Sequence, residues 1–248
     1  MKNMQFRLLI LGILVSFIIS CNAQKSCNNC GMVISGLKFL DTISQQYVSA
    51  QIYWPDMRIW YKDSLAIEEI TYLYISKDSL GREIRTLKTD HYTFVDLRSR
   101  SFYDYSTFSD TAKFVKKYTQ PDSVTIFGGW NFYASRIIPV TEPPKDISDT
   151  IIEGINYQRV KFINRREGVS NPVLIAYLRC DKKGTLFQID KEFGDKKGCP
   201  IVRYEELPTD KNPFANAGEI LFVADTLSQE ELKVFAAWEK NAKDNPVK

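Results

Sequence analysis

The 248-residue chain has a single histidine and little net charge, and each of these features argues against a class of function. His91 on its own argues against a histidine-rich metal site and against a histidine-based nucleophile triad. The formal net charge is +3, and Lys2 and Arg7 near the N-terminus contribute to it, so the remainder of the chain is close to neutral. Electrostatic attraction to nucleic acid is therefore not expected, and no cofactor is predicted.

Two carboxylates that flank a bond can catalyse its hydrolysis, but the spacing of the acidic residues in this chain argues against such a pair. Glu68 and Glu69 are adjacent in a strand-like segment, as are Glu205 and Glu206, and Asp104 lies in another such segment. Because successive side chains on a strand point to opposite faces of a sheet, adjacent acids cannot flank one scissile bond. The sequence therefore predicts a protein that is not an enzyme.

Long apolar runs are scarce as well, and the clearest one lies at the N-terminus. Lys2 and Arg7 flank the start of the apolar stretch 8–19, which is shorter than the roughly 20 residues that a membrane-spanning helix needs. A charged start, a short apolar middle and a small residue at the end are typical of a secretory signal peptide, here residues 1–20. The chain is therefore expected to leave the cytoplasm.

The end of this leader, Ile18-Ile19-Ser20-Cys21, resembles the bacterial lipobox. The resemblance implies that Cys21 is the lipid-attachment site and the new N-terminus, and that its acyl chains hold the protein on a membrane. Cleavage after Ala23 is the alternative, and it would remove Cys21 with the leader. Asn22 stands where an aspartate retains some lipoproteins in the inner membrane, so we predict an outer-membrane anchor facing the periplasm.

Four cysteines remain after Cys21, and an even number in an oxidising compartment suggests disulfides. Cys180 ends the apolar segment 173–178 and Cys199 precedes the segment 201–204, so a bridge between neighbouring strands is geometrically reasonable. Closing a loop of this size stabilises by about 3 kcal/mol in the chain-entropy model. Cys27 and Cys30 form a C-x-x-C whose simplest interpretation is a local disulfide.

A second interpretation of the C-x-x-C is a copper site. The residues Cys27, Cys30, Gly31 and Met32 resemble the C-x-x-C-G-M element of NosL-type copper lipoproteins, which follows their lipidated cysteine. Two thiolates and a thioether are soft ligands that suit Cu(I). The local disulfide and the copper site both stay open, and the segment 21–46 is interpreted as a lipidated flexible tether.

From residue 47 onward the chain is predicted to be one β-rich domain, residues 47–248. Aromatic and β-branched residues recur in short segments separated by polar turns, as expected for antiparallel strands with one dry face. Two helices are predicted. Ser109 and Asp110 can cap a helix over 111–118, and Ser228 begins a capping box before a C-terminal helix. The predicted fold class is mainly β (α+β), a curved antiparallel sheet or open half-barrel with these two helices.

Three of these segments, 58–63, 92–97 and 101–105, carry a family resemblance. Their rhythm of aromatic, aliphatic and acidic residues is similar to that of LolA and GLPGLI-like envelope proteins, although the GLPGLI segment itself is absent. The resemblance implies a sheet curled into an open half-barrel that shields apolar ligands such as acyl chains. We expect the aromatic residues of this face to include Tyr53, Trp60, Tyr72, Tyr74, Phe94 and Tyr103.

Two functions of different classes follow from these features. In the first, the protein is a membrane-anchored periplasmic binding module whose open aromatic face holds an apolar ligand or a lipid. In the second, it is an envelope interaction or assembly protein that recognises another protein and has no small ligand. The aromatic residues could equally fill an ordinary sheet–helix core, which would remove the first function.

Overall fold

The computed structural model describes residues 29–50, 55–119, 141–185 and 187–246. Within these ranges twelve strands form one antiparallel sheet, accompanied by two α-helices and a 3-10 helix at Cys180–Lys182. The strands are β1 (Cys30–Asp41), β2 (Gln46–Ser49), β3 (Met57–Lys62), β4 (Leu65–Lys77), β5 (Glu83–Asp96), β6 (Ser101–Tyr105), β7 (Phe114–Thr119), β8 (Lys145–Ile152), β9 (Ile155–Ile163), β10 (Val173–Leu178), β11 (Ile201–Glu206) and β12 (Asn216–Ala224). The helices are α1 (Lys191–Lys197) and α2 (Gln229–Asp244). The predicted mainly β fold with an antiparallel sheet and a C-terminal helix is confirmed.

The sheet runs in the order β7-β6-β5-β4-β3-β1-β12-β11-β10-β9-β8, and β2 pairs with the far part of β1. Two runs of sequential strands, β3 to β7 and β8 to β12, therefore meet through β1 and β12. No ladder in the described ranges joins β7 to β8, so the sheet is open. We call β3 to β7 the first meander and β8 to β12 the second.

The position of β1 corrects the expected tether 21–46 over the part that the structure describes, whereas residues 21–28 lie outside the described residues. Residues 30–41 form a central strand that pairs with β3 on one side and β12 on the other. Val33 is fully buried, and a Cβ at Gly31 would lie 2.1 Å from the carbonyl oxygen of Ala224, so only glycine permits this approach. The composition near Cys30, rich in glycine and polar residues, resembles that of a linker. The alternating apolar residues of β1 nevertheless place this segment inside the sheet.

The segment 111–118 is not the predicted helix, because Phe114–Thr119 forms strand β7 beside β6. Its apolar residues at 114 and 118 satisfy a helical spacing and a strand spacing equally well. In the sheet, Tyr118 stacks on Phe102 with ring centroids 5.3 Å apart, and Phe114 packs edge-on against Tyr105. Pairing with β6 therefore overrides the local capping signal at Ser109.

The C-terminal helix α2 begins as its sequence predicts. The Ser228 side chain accepts a hydrogen bond from the backbone of Glu231, and the Glu231 side chain accepts one from the backbone of Ser228. This reciprocal capping box satisfies two amide groups that the first turn leaves unpaired. The short helix α1 was not predicted; Asp190 caps it, and Gly198 ends it in the left-handed conformation.

The sheet buries side chains on both faces. The core that we call the wide core takes residues from both meanders, together with Phe187 and Ile189 from the connection between β10 and β11. The core that we call the helix core lies between the first meander and α2, with Phe94, Phe235 and Trp238 among its members. Each strand can contribute side chains to both cores, because neighbouring residues on one strand point to opposite faces of the sheet.

The connection between β10 and β11 is closed by the Cys180–Cys199 disulfide, with Cα atoms 4.4 Å apart. This is the pairing expected from the positions of the two cysteines at adjacent strand ends. Inside the closed segment, Phe187 packs against Tyr61 of β3 with ring centroids 5.0 Å apart. The disulfide therefore closes a segment that supplies buried side chains to the wide core.

Removing this disulfide should lower the free energy of unfolding. For the double variant Cys180→Ala/Cys199→Ala we expect a loss of about 3 kcal/mol, because the unfolded chain regains the entropy of an open loop. Urea unfolding followed by circular dichroism measures the difference. Treating the double variant with reductant is the control for the other cysteines. Equal unfolding midpoints for the wild type and the double variant would contradict this role.

Candidate functional site

The aromatic residues predicted to line an open ligand face do not lie together on one. Trp60, Phe94 and Tyr103 are buried in the helix core beneath α2. Tyr72 lies elsewhere, half exposed on the distal part of β4, and Tyr53 is outside the described residues. The expected open face is therefore wrong for the three residues that α2 covers.

Contacts with α2 explain why this face is filled. The Trp60 indole donates a hydrogen bond of 2.7 Å to the Glu231 carboxylate at the first turn of the helix. Trp238 stacks on Tyr105 with ring centroids 4.0 Å apart and an interplanar angle of 6°, and it packs edge-on against Phe94. Trp238 is 1% exposed. The helix thus fills the space in which an apolar ligand was expected.

The most unusual exposed feature is the distal part of the β4–β5 hairpin, residues 71–89, which we call the arm. The β4 ladder with β3 covers only residues 65–68, and the β5 ladder with β6 covers only 92–96. Beyond them β4 and β5 pair with each other alone within the described part of the chain. A two-stranded ribbon in water is marginally stable without further packing.

Large apolar side chains are concentrated on the arm. Those that are exposed are Tyr72, Tyr74, Ile75, Leu80, Ile84 and Leu87. Leu80 lies in the turn at the tip of the arm and is 75% exposed. Isolated exposed apolar residues are ordinary, but a run of them along one element marks an interaction surface.

The register of the arm divides these side chains between its two faces. Leu73 pairs with Leu87 and Ile75 pairs with Arg85, which places these four on one face. Tyr72 pairs with Lys88, and Tyr74 with Thr86, on the other face, which also carries Ile84 opposite Ser76. Each face therefore offers a short apolar row with one or more cations beside it.

The charges of the arm leave a positive excess. Its basic residues are Lys77, Arg82, Arg85 and Lys88, and its acidic residues are Asp78 and Glu83. Both acids bind arginines of the same arm, Asp78 with Arg82 at 2.7 Å and Glu83 with Arg85 at 2.5 Å. Lys88 Nζ lies 5.8 Å from the centroid of the Tyr74 ring, close enough for a cation–π contact.

A β-bulge joins the arm to the sheet. Ile70 pairs with His91 whereas Thr71 pairs with Thr89, so Asp90 is the extra residue. Bulges increase local twist and redirect a strand. On the helix-core face, the Thr89 hydroxyl donates a hydrogen bond of 2.7 Å to Glu69, which also lies 3.6 Å from Arg58. The base of the arm is thereby held by polar contacts.

On the opposite face a row of polar residues crosses four strands at the same level. Glu68, Thr93, Asp104 and Lys116 are paired in register from β4 to β7. Asp104 accepts a hydrogen bond of 2.8 Å from Thr93 through Oδ1. Its Oδ2 is buried without a hydrogen-bond donor, and lies 3.3 Å from Lys116 Nζ and 3.6 Å from His91 Nε2.

At the base of the arm this row contains the buried Asp104 carboxylate, whose partner Lys116 has a side chain that is 63% exposed. Burial, followed by the charge of Asp104, raises the pKa of Tyr118 to about 12, so its hydroxyl stays protonated. A buried carboxylate is strongly destabilising when its cation is removed, so Lys116 keeps Asp104 compensated. The chemistry of the cluster is thus structural, since it fixes the strands from which the arm departs.

A second charged cluster spans β1, β10, β11 and β12. Arg203 lies 2.5 Å from Glu205 and 3.4 Å from Glu219, and Lys38 also binds Glu219. The Tyr177 hydroxyl donates a hydrogen bond of 2.5 Å to Glu205, and burial together with that bond raises the pKa of Tyr177. Each acid here has a cationic partner, so the cluster ties the second meander to β1.

Of the predicted disulfide and copper-site residues near the N-terminus, the structure describes Cys30 and Met32. Cys30 is buried in the helix core with Met32 packed nearby, whereas Cys21 and Cys27 lie outside the described residues. The Cys27–Cys30 disulfide and the copper site using Cys27, Cys30 and Met32 therefore stay predictions. Among the residues that the structure describes, no group of three or more histidine, cysteine or acidic side chains is placed to hold a metal ion.

The helices were also compared with the length and hydropathy of a membrane span. No helix in the described ranges is both long enough and apolar enough to cross a bilayer.

No protein-family model matches the chain, and no curated protein matches it. Among solved structures, an uncharacterized conserved protein from Thermus thermophilus is 8% identical, with a TM-score of 0.29 over 82% of this chain and 84% of the other. A LolA superfamily protein from Nitrosomonas europaea is 6% identical, with a TM-score of 0.22 over 81% and 87%. A putative outer membrane lipoprotein-sorting protein domain from Vibrio parahaemolyticus is 9% identical, with a TM-score of 0.18 over 84% and 91%. At these TM-scores the likenesses assign neither a family nor a function.

Stability at high pH tests the packing of α2. Burial raises the pKa of Tyr105 to about 12, and its hydroxyl is buried without a hydrogen-bond partner. A folded-state pKa above the unfolded value of about 10 contributes stability below pH 10 that is lost as the pH rises from about 10 to 12. Relative to the wild type, Tyr105→Phe should therefore gain roughly 1–3 kcal/mol between pH 9 and pH 12.

The measurement is denaturant unfolding of both proteins across this pH range. At neutral pH the variant should be as stable as the wild type or more stable, because the stacking on Trp238 stays and an unsatisfied hydroxyl is removed. Tyr74→Phe, at an exposed tyrosine of the arm, is the matched control. Parallel pH profiles for Tyr105→Phe and the wild type would contradict the burial of this hydroxyl.

Proposed function

We propose that the protein is a lipid-anchored protein of the cell envelope, held by Cys21 on the periplasmic side of the outer membrane. It is non-catalytic and binds a macromolecular partner through the arm. The single observation that carries this function is the row of exposed apolar side chains on residues 71–89. This corresponds to the second of the two functions predicted from the sequence.

Two features support the envelope address. The segment Ile18-Ile19-Ser20-Cys21 resembles a lipobox, and a lipidated cysteine with several acyl chains gives a firm anchor. The disulfide between Cys180 and Cys199 fits an oxidising compartment, because disulfides are rare in most cytosolic proteins. These features are independent, since one lies in the leader and the other in the second meander.

Burial within the helix core favours a partner over a small apolar ligand. A ligand site needs a cavity that the protein leaves open, and Trp60, Phe94 and Tyr103 are covered by α2 instead. The arm, in contrast, presents its apolar residues to solvent on a two-stranded ribbon. An exposed element of this kind suits contact with another macromolecule.

The anchor is tested by replacing the lipidated cysteine. Cys21→Ala should abolish labelling with radioactive palmitate and move the protein from the membrane fraction to the soluble periplasmic fraction, because the acyl chains have no attachment site. Cys27→Ala is the matched control and should keep both the label and the membrane fractionation. Unchanged labelling of Cys21→Ala would exclude lipidation at this residue.

The binding role is tested by charging the arm. In a mild detergent extract the mature, lipid-anchored protein should migrate in a complex that contains a second protein. Ile75→Lys/Leu87→Lys should dissociate that complex and keep the unfolding free energy within about 0.5 kcal/mol, because both side chains are exposed. Ile151→Lys, at a 70% exposed residue of β8, is the control. A complex unaffected by the arm variant would refute the assignment.

A further inference from the structure

We infer that the partner of the arm is a protein with an apolar groove and an acidic rim, which encloses the arm on both faces and lies away from the anchoring membrane. This inference deepens the proposed function and rests on it. Three properties of the arm carry it: its direction relative to the anchored end, the presence of apolar rows on both faces, and its unbalanced positive charge.

The direction of the arm separates it from the anchor. Cys30 pairs with Lys62 of β3, and the amide of Asp63 in the β3–β4 turn donates to Asn29 at 2.8 Å, so the chain joins the sheet at that end. Strand β4 starts at the same end and runs away from it to Lys77, about 40 Å in extended geometry.

The number of residues between Cys21 and the sheet sets the scale of this separation. Nine residues from Cys21 to Cys30 span at most about 30 Å. This segment holds the Cys30 end of the sheet near the membrane, while the tip of the arm points away from that end. The membrane that carries the anchor is therefore disfavoured as the surface that covers the arm, and a protein is favoured.

Apolar rows on both faces require a partner that surrounds the arm. Seven residues per strand give a ribbon roughly 23 Å long and about 10 Å wide, so one face offers roughly 230 Å². A stable interface buries about 800 Å² on each partner. Face-to-face pairing of two arms would also leave Tyr72 and Tyr74, or Leu73 and Leu87, exposed. A groove that encloses both faces and the edges provides a larger contact area and also covers the apolar residues of both faces.

The charge of the arm defines the rim of this groove. Lys77 shares the face of Leu73, and Lys88 shares the face of Tyr74, so each face has a lysine beside its apolar row. The two acids of the arm already bind its arginines. Acidic side chains along the groove would therefore meet the remaining positive charge of the arm, while apolar groups line its floor.

Site-specific photo-crosslinking from the two faces tests this geometry. A benzoylphenylalanine at position 74 or at position 87 of the full-length, membrane-bound protein samples opposite faces, and position 151 on β8 is the control. Both arm positions should give the same one-to-one protein adduct, and position 151 should not. Lys77→Glu/Lys88→Glu should reduce the yield of that adduct at least tenfold, whereas Lys145→Glu on β8 should leave it unchanged.

Every other outcome overturns the groove. Adducts with lipid alone would show that a membrane covers the arm, and an adduct of twice the chain mass would show a second copy. Different protein adducts from the two faces, an adduct from one face only, charge-insensitive adducts or no adduct would exclude an enclosing acidic groove. Repeating the experiment with Cys21→Ala separates the two proposals. An adduct that is retained after the variant has left the membrane fraction supports the groove independently of the anchor, whereas a variant that stays in the membrane fraction contradicts the anchor and leaves the groove untouched.

Discussion

The pairing of β1 with both β3 and β12 is the interaction on which the rest of the structure depends. It joins two meanders that otherwise have no shared ladder in the described residues, and it is possible because Gly31 lets the backbone approach Ala224. Because β1 begins at Cys30, the central strand of the sheet starts nine residues after the proposed lipid site.

The place where the chain joins the sheet distinguishes the two ends of the folded body. Pairing between Cys30 and Lys62 fixes the end of the sheet at which the chain joins it, and the long strands β4 and β5 carry the arm toward the opposite end. The ion pair of Asp104 with Lys116 and the hydrogen bond of Thr89 to Glu69 stiffen the base of the arm. With α2 filling the face that looked suited to a ligand, the proposed binding role rests on the exposed apolar side chains of the arm.

Sequence patterns predicted elements well where one local signal dominates. The capping box at Ser228 predicted the start of α2, and alternating aromatic and β-branched residues predicted the sheet. The same rules failed at Phe114–Thr119, where spacing suits a helix or a strand, and at Cys30–Asp41, where a linker-like composition hides a central strand. Both failures have one cause: the deciding contacts are with strands distant in sequence.

The sequence by itself determined the β-rich class and the pairing of Cys180 with Cys199, whereas the secretory leader and the Ser20-Cys21 junction stay predictions. These depend on residues close together in the chain, or on residues at the ends of recognisable strands. Only the tertiary structure decided that Trp60 is covered by a helix while Tyr72 is exposed on the arm. Both are aromatic residues in strands, and what separates them is the long-range packing of α2, a contact between segments more than 170 residues apart.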